Sequence, residues 1–350
     1  MSLTEVVLGF LDDAEPWRLR SPQFPSKVGG KPAWLCQRGP PSLSRLECET
    51  CRLPMAFLLQ VYAPIPGQDR SFHRTLFVFC CKSPECYTRN DSRCVKVFRS
   101  QLPRKNDFYS YEPPQETEPL SDLDQDQTTL PVSGVKLCWV CGCPGNKACS
   151  RCHSVTYCGK HHQTLHWKHS HKKTCGSSKD TAASPFLFVE FELLTETEEE
   201  VESGKGDDEA AVAHTDADCP TLAEMLAETD LEEMAMHETE DNKVFQRFKK
   251  KIAPEPQQVL RYSRGGSPLW VSSQHIPSDA DIPVCTCGAK RIFEFQVMPQ
   301  LLNSLHVDST EASIDWGTLA VYTCSVNCNH EEQYCLEYIW KQDFSTEQQM

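Results

Sequence analysis

Eight residues of the types that bind soft metal ions crowd into the stretch from Cys138 to Cys175. They fall into four pairs: Cys138 with Cys141, Cys149 with Cys152, Cys158 with His162, and His171 with Cys175. A Cys-x-x-Cys turn points two sulfurs into one tetrahedron, and ligands four residues apart share a helix face, so each pair supplies half a site. The short spacers favour interleaving. Cys138, Cys141, Cys158 and His162 would hold one Zn²⁺, and Cys149, Cys152, His171 and Cys175 a second. With four protein ligands each, neither ion keeps an open position for water or substrate, which is what separates a structural zinc from a catalytic one. A segment this short buries too little apolar surface to fold alone, so metal is expected to contribute most of its folding free energy. His153, His161, His166, His169 and Cys143 are alternative donors nearby. His161 would make a Cys-x-x-His pair, but the helix face favours His162.

The elements that position further cysteines come from an internal repeat. Gly29-Gly30-Lys31-Pro32-Ala33-Trp34 recurs as Gly265-Gly266-Ser267-Pro268-Leu269-Trp270, and Cys51, Phe57, Gln60 and Val61 recur as Cys287, Phe293, Gln296 and Val297, all at an offset of 236. Farther on the offset becomes 243, pairing Thr75 to Cys81 with Thr318 to Cys324. Each copy reads as β structure, with β-branched and aromatic runs at 57–62, 76–79, 292–297 and 319–322 bounded by Gly and Pro. Cysteines flank those strands. A hairpin would gather Cys48, Cys51, Cys81 and Cys86 into a third zinc site and Cys285, Cys287, Cys324 and Cys328 into a fourth, as a zinc ribbon does; the alternative is buried, unliganded thiols. Alignment with Cys324 selects Cys81 over Cys80. Cys36, Cys94, Cys219 and Cys335 read as unliganded.

Composition sets the limits. Twenty cysteines in 350 residues would suggest a disulfide scaffold in a small secreted chain, but the N-terminal segment has neither a basic region nor a long apolar one. Reduced thiols and an intracellular protein are expected. No apolar run approaches the roughly 18 residues of a membrane span. The net charge of −14 argues against nucleic-acid binding by the whole chain, although 135–175 is basic while 190–241 is strongly acidic.

The expected fold is mainly β with small zinc modules, an α+β arrangement of duplicated zinc-ribbon-like halves with the cross-braced finger inserted. The divisions are an N-terminal half at 1–111, a linker at 112–134, the finger at 135–175, an acidic linker at 176–240 and a C-terminal half at 241–345. Within the acidic linker, Thr221-x-x-Glu224 reads as a capping box opening a short amphipathic helix through Leu222, Met225, Leu226 and Met234. Residues 101–109 should form a loop, since Pro103 stops a strand, with Phe108 and Tyr109 either pinning it to the core or meeting a partner.

The order of ligands, the Tyr157-Cys158 step and Trp167 ahead of the last His-x-x-x-Cys resemble a MYND zinc finger. The strings FPSKVGGKPAWL, LLQVYAP, QLPRKNDFYSYEPP, CGAKRIFEFQVMPQLL and SIDWGTLAVYTC resemble the programmed cell death protein 2 family, at both ends of the chain as well as the finger. That resemblance implies a dedicated chaperone for one small-subunit ribosomal protein, the one where mRNA enters the subunit, needed for 40S maturation. It also implies a cytoplasmic and nuclear location. Other MYND fingers bind Pro-rich peptides, so a co-repressor adaptor, or a regulator of proliferation and apoptosis, is an alternative by analogy of fold. A nucleic-acid-binding finger is a further alternative, though the module lacks a base-reading register. An enzyme is not expected: the sequence has no phosphate-cradling Gly loop and no His-Glu-x-x-His helix.

Overall fold

The structure is a computed structural model and describes residues 5–36, 38–118, 135–177, 184–199, 239–305, 307, 313–328 and 334–345. In the first half the strands are β1 (Val7–Asp12), β2 (Lys27–Val28), β3 (Ala56–Tyr62), β4 (His73–Cys80) and β5 (Val95–Leu102). The finger carries the small hairpin β6 (Lys147–Ala148) and β7 (Thr156–Tyr157), and β8 (Phe191–Thr197) follows it. The second half supplies β9 (Leu260–Tyr262), β10 (Arg291–Val297), β11 (Thr318–Cys324), β12 (Cys335–Leu336) and β13 (Tyr338–Gln342). Continuous Val, Leu and Phe runs make β3, β4 and β11 strands buried on both faces.

Both halves belong to one sheet, in the order β12-β5-β4-β3-β2-β8-β1-β9-β10-β11-β13. Its two ends meet in a single extended segment. Cys335 and Leu336 pair with Arg99 and Phe98 of β5, and two residues later Tyr338–Gln342 pairs with β11, so one continuous segment joins the two ends of the sheet and covers part of the β5 edge. The fold is mainly β, as the sequence led us to expect.

The duplication is exact enough to reproduce irregularities. β3 and β4 carry a bulge at Leu58, between Phe57 and Leu59, and β10 and β11 carry one at the corresponding Glu294, between Phe293 and Phe295. The Gln60 carboxamide accepts from Ala33 N–H at 2.9 Å, and its counterpart Gln296 accepts from Leu269 N–H at 2.6 Å.

The acidic linker expected over 176–240 is interrupted by a central strand. β8 pairs with both β1 and β2, and Leu193 inside it is buried. Phe191, Leu193 and Leu194 among glutamates are a weak local signal, and the strand is made by partners distant in sequence. Glu190 just before it pairs with the buried Lys27 of β2. The helix expected from Thr221, and Cys219, lie outside the described residues. A helix at Glu240–Ile252, capped by the Thr239 hydroxyl on Asn242 N–H, packs Phe248 against Val271 and Met298.

β5 continues through Gln101 and Leu102 before Pro103 ends it, two residues beyond the expected start of the loop. Tyr109 Oη donates to Leu35 O at 2.6 Å and its ring meets Phe24 edge-on, so this loop is pinned to the core. Two buried ionic knots cross the sheet. Arg74 of β4 forks onto Glu294 of β10 at 2.5 and 2.7 Å, and Arg99 of β5 meets Glu337 at 2.7 Å. Glu337 stands between β12 and β13 and also takes Arg291 at 3.0 Å.

Candidate metal centres

The structure brings the sixteen residues singled out above into four clusters of four. They are Cys48, Cys51, Cys81 and Cys86; Cys138, Cys141, Cys158 and His162; Cys149, Cys152, His171 and Cys175; and Cys285, Cys287, Cys324 and Cys328. Within each, the ligand atoms lie within 4.8 Å of one another.

Four knuckle turns aim the thiols. After the second cysteine of each leading pair comes a residue with left-handed backbone: Arg52 at φ 61°, Gly142 at 70°, His153 at 55° and Gly288 at 87°. The N–H of each returns to the carbonyl of the first cysteine, at 3.0, 2.8, 3.0 and 2.8 Å respectively. Gly fills two of these positions; Arg52 and His153 occupy the other two at a conformational cost. In the finger, Gly159 caps the helix Lys160–His166, which sets His162 Nδ1 at 3.0 Å from Cys158 Sγ and 3.6 Å from Cys138 Sγ. A π-helical turn at Trp167–His171 follows and presents His171 Nε2 at 3.5 Å from Cys152 Sγ.

These separations fit a tetrahedral ion. Zn–S bonds of about 2.3 Å and Zn–N bonds of about 2.0–2.1 Å place sulfurs about 3.8 Å apart and S···N about 3.5 Å apart. The observed S···S distances are 3.6 Å for Cys51–Cys81, 4.0 Å for Cys141–Cys158, 3.9 Å for Cys149–Cys175, and 3.6 Å for both Cys285–Cys328 and Cys287–Cys324. A disulfide would need about 2.05 Å. Hydrogen bonds from Cys141 and Cys158 hold Cys138 far below the usual thiol range, and those that Cys158 makes with Cys138 and Cys141 push it far above. The Ser154 hydroxyl, at 3.1 Å, brings Cys152 down to about 5. A divalent cation would relieve this competition by taking all four ligands as anions or neutral imidazole.

The other donors stand aside. Cys143 donates to Cys141 O at 3.8 Å, His153 makes a knuckle turn, and His161 and His169 are exposed. His166 is buried between Trp139, stacked at 3.6 Å, and His171, with Tyr157 Oη at 2.9 Å from its Nδ1. Cys80 is the last residue of β4 and lies outside the cluster that Cys81 joins, and burial pushes it up to about 12. Cys36 and Cys94 point at the carbonyls of Arg38 and Asp91. What sequence reasoning missed is the left-handed pattern at Arg52 and His153, for which only Gly142 and Gly288 were visible signals.

The finger is docked on the first half. Trp34 Nε1 donates to Gly142 O at 2.8 Å and Lys31 lies over the Trp139 ring; just beyond the finger, Phe186 packs on His162 while its carbonyl accepts from Lys82.

A duplicated β sheet with closed Cys and Cys/His clusters and an inserted cross-brace defines a class of cysteine-rich, MYND-finger proteins. Residues 138–175 match the MYND finger, 5–116 the N-terminal domain of programmed cell death protein 2 and 242–343 its C-terminal putative domain. The chain belongs to the programmed cell death protein 2 family. It is 49% identical over 344 residues to programmed cell death protein 2 of Bos taurus and 51% identical over 345 residues to that of Mus musculus, covering 97% of this chain and 96% of each relative. It is also 26% identical over 384 residues to the probable 20S rRNA accumulation protein 4 of Schizosaccharomyces pombe, covering 93% of both chains. No solved structure matches it.

Proposed function

We propose that this protein is a non-catalytic, zinc-dependent chaperone or adaptor that binds a basic small-subunit ribosomal protein, the one where mRNA enters the subunit, and supports 40S maturation in the cytoplasm and nucleus. The observation that carries this reading is the similarity to the fission-yeast 20S rRNA accumulation protein along 93% of both chains. Because the two halves share one sheet, that similarity spans the whole closed fold, not just the finger. Zinc suits the S₄ and S₃N donor sets, two ions in the finger and up to four in all. Ions held by four protein ligands shape a surface and leave no position for substrate. The net charge of −14, concentrated at 190–241, is complementary to a basic client.

Affinity purification of the full chain at moderate salt, read by mass spectrometry, should enrich one basic small-subunit protein, and depletion should lower 40S relative to 60S subunits. Recovery of no such protein, with unchanged subunit levels, overturns the reading. A second reading draws on the cleft between Leu43, Leu53 and Met55 of the first half and Gly159 and His161 of the finger, where a Pro-rich peptide of a co-repressor would lie. Cys138→Ser should then abolish co-repressor binding; binding that persists counts against this reading.

A further inference from the structure

The four-cysteine cluster of the second half is wrapped by charged side chains from both halves. Arg99 of β5 donates to Cys328 O at 3.0 Å and lies 3.8 Å from Cys328 Sγ. Arg74 of β4 donates to the Asn327 side chain at 2.9 Å, and Gln101 reaches the Asn327 and Cys328 carbonyls. From the second half, Arg264 donates to Cys324 O and Ser325 O, and Glu337 accepts Cys324 N–H at 3.2 Å. Thus the loop from Cys324 to Cys328 is gripped at nearly every residue.

The charges of this belt do not cancel by themselves. Arg74 and Arg264 share Glu294, and Arg99 and Arg291 share Glu337, so four guanidinium groups face two carboxylates. Two positive charges remain. Arg74, Arg99, Glu294 and Glu337 all have fully buried side chains, where uncompensated charge is costly. A divalent ion held by the four thiolates would give that cluster two negative charges, with Cys328 Sγ 3.8 Å from Arg99, and would balance the two positive ones.

We infer that the metal site of the second half is completed by the first half, with Arg99 as the positioning residue that grips Cys328 and helps neutralise the metal–thiolate cluster. Metal retention there and closure of the sheet between β5 and β12 are therefore one coupled event. This rests on the proposed zinc occupancy. By linkage the coupling is reciprocal: loosening Arg99 weakens the metal, and losing the metal loosens the join.

The test uses the full chain, zinc-loaded, with native mass spectrometry for metal count and timed alkylation under chelator to map which cysteines lose protection. Arg99→Gln should make Cys285, Cys287, Cys324 and Cys328 about ten- to a hundred-fold easier to strip of zinc, as removal of groups that orient ligands generally does. The other clusters should keep their protection, and Arg99→Lys should fall between. Unchanged protection in Arg99→Gln overturns the inference. If Arg99→Gln exposes all four clusters at once, Cys287→Ser decides from the metal side. Faster exchange of the Glu337 amide, which donates to Val97 O in the join, with the finger still protected, supports the coupling; unchanged exchange overturns it. Wild-type protein with no metal at these cysteines removes the zinc reading for this site and the inference with it.

Discussion

Leu58 and Glu294 occupy the same bulge in the two copies of the repeated strand, and each offers its carbonyl to the neighbouring strand, to Gly29 N–H at 2.8 Å and Ser263 N–H at 2.9 Å. One copy places an apolar side chain there and the other a buried carboxylate clasped by Arg74 across the halves. Glu294→Leu should therefore restore the chemistry of the first copy yet destabilise the protein by about 3–5 kcal/mol, because Arg74 is left buried and unpaired. Arg74→Met in the same chain should recover most of that loss. Urea denaturation of the single and double variants checks both.

The knuckle at Cys149 carries His153 with left-handed backbone where the knuckles at Cys138 and Cys285 carry glycine. His153→Gly should raise stability by about 0.5–1 kcal/mol and leave the metal count unchanged, since the ring is no ligand. A drop in bound zinc, read by native mass spectrometry, would show that the ring coordinates after all.

Chelation should unfold residues 138–175 before the sheet, with loss of amide protection in the helix Lys160–His166 preceding that in β3 and β4. Cys141→Ser should cost one zinc and the finger's protection. Cys143→Ser, two residues away, should cost neither, because its sulfur lies outside the cluster.

His73 stacks on Phe24 at 4.1 Å and meets Tyr62 Oη at 3.0 Å through Nδ1. Burial, aided by the nearby Arg104 charge, holds it down to about 4 from its ordinary 6.5. Between those values the unfolded chain binds a proton that the folded chain refuses, so this group's contribution is lost as pH falls from about 6.5 toward 4. His73→Phe should show a shallower loss of stability across that window, measured by denaturation at each pH. Equal slopes for variant and wild type would refute the assignment.

β8 owes its place to Leu193, buried beside Gly9 of β1, where a Cβ on Gly9 would stand only 3.1 Å from Leu193 Cδ1. Leu193→Ala should cost about 2–5 kcal/mol, a core penalty in a segment whose glutamates suggest a solvated tether. Thermal or chemical denaturation gives the value; a cost near zero would mean that β8 is dispensable.

The clustering of the sixteen Cys and His residues was legible because knuckles and helix faces are local: Cys138 and Cys141 announce a half-site whatever surrounds them. The repeated hairpins were legible because Phe57 to Tyr62 and Ile292 to Val297 keep their pattern at a fixed spacing. Arg74, Arg99, Glu294 and Glu337 were not. Glu294 lies between two phenylalanines and reads as the outward position of an alternating strand, and only a bulge and a partner 220 residues away turn it inward. Closure through Cys335–Gln342 was hidden for the same reason, since a segment that pairs with two strands at once looks locally like an ordinary strand.

That closure has a kinetic consequence. Arg99 and Glu337 are 238 residues apart, so β5 is synthesised long before the stretch that covers it. In the interval the edge of β5 away from β4 stands bare, a template onto which stray strands add. Long-range pairing of this kind also folds slowly. A protein proposed to chaperone another chain thus passes through a stage of its own in which aggregation is the competing outcome.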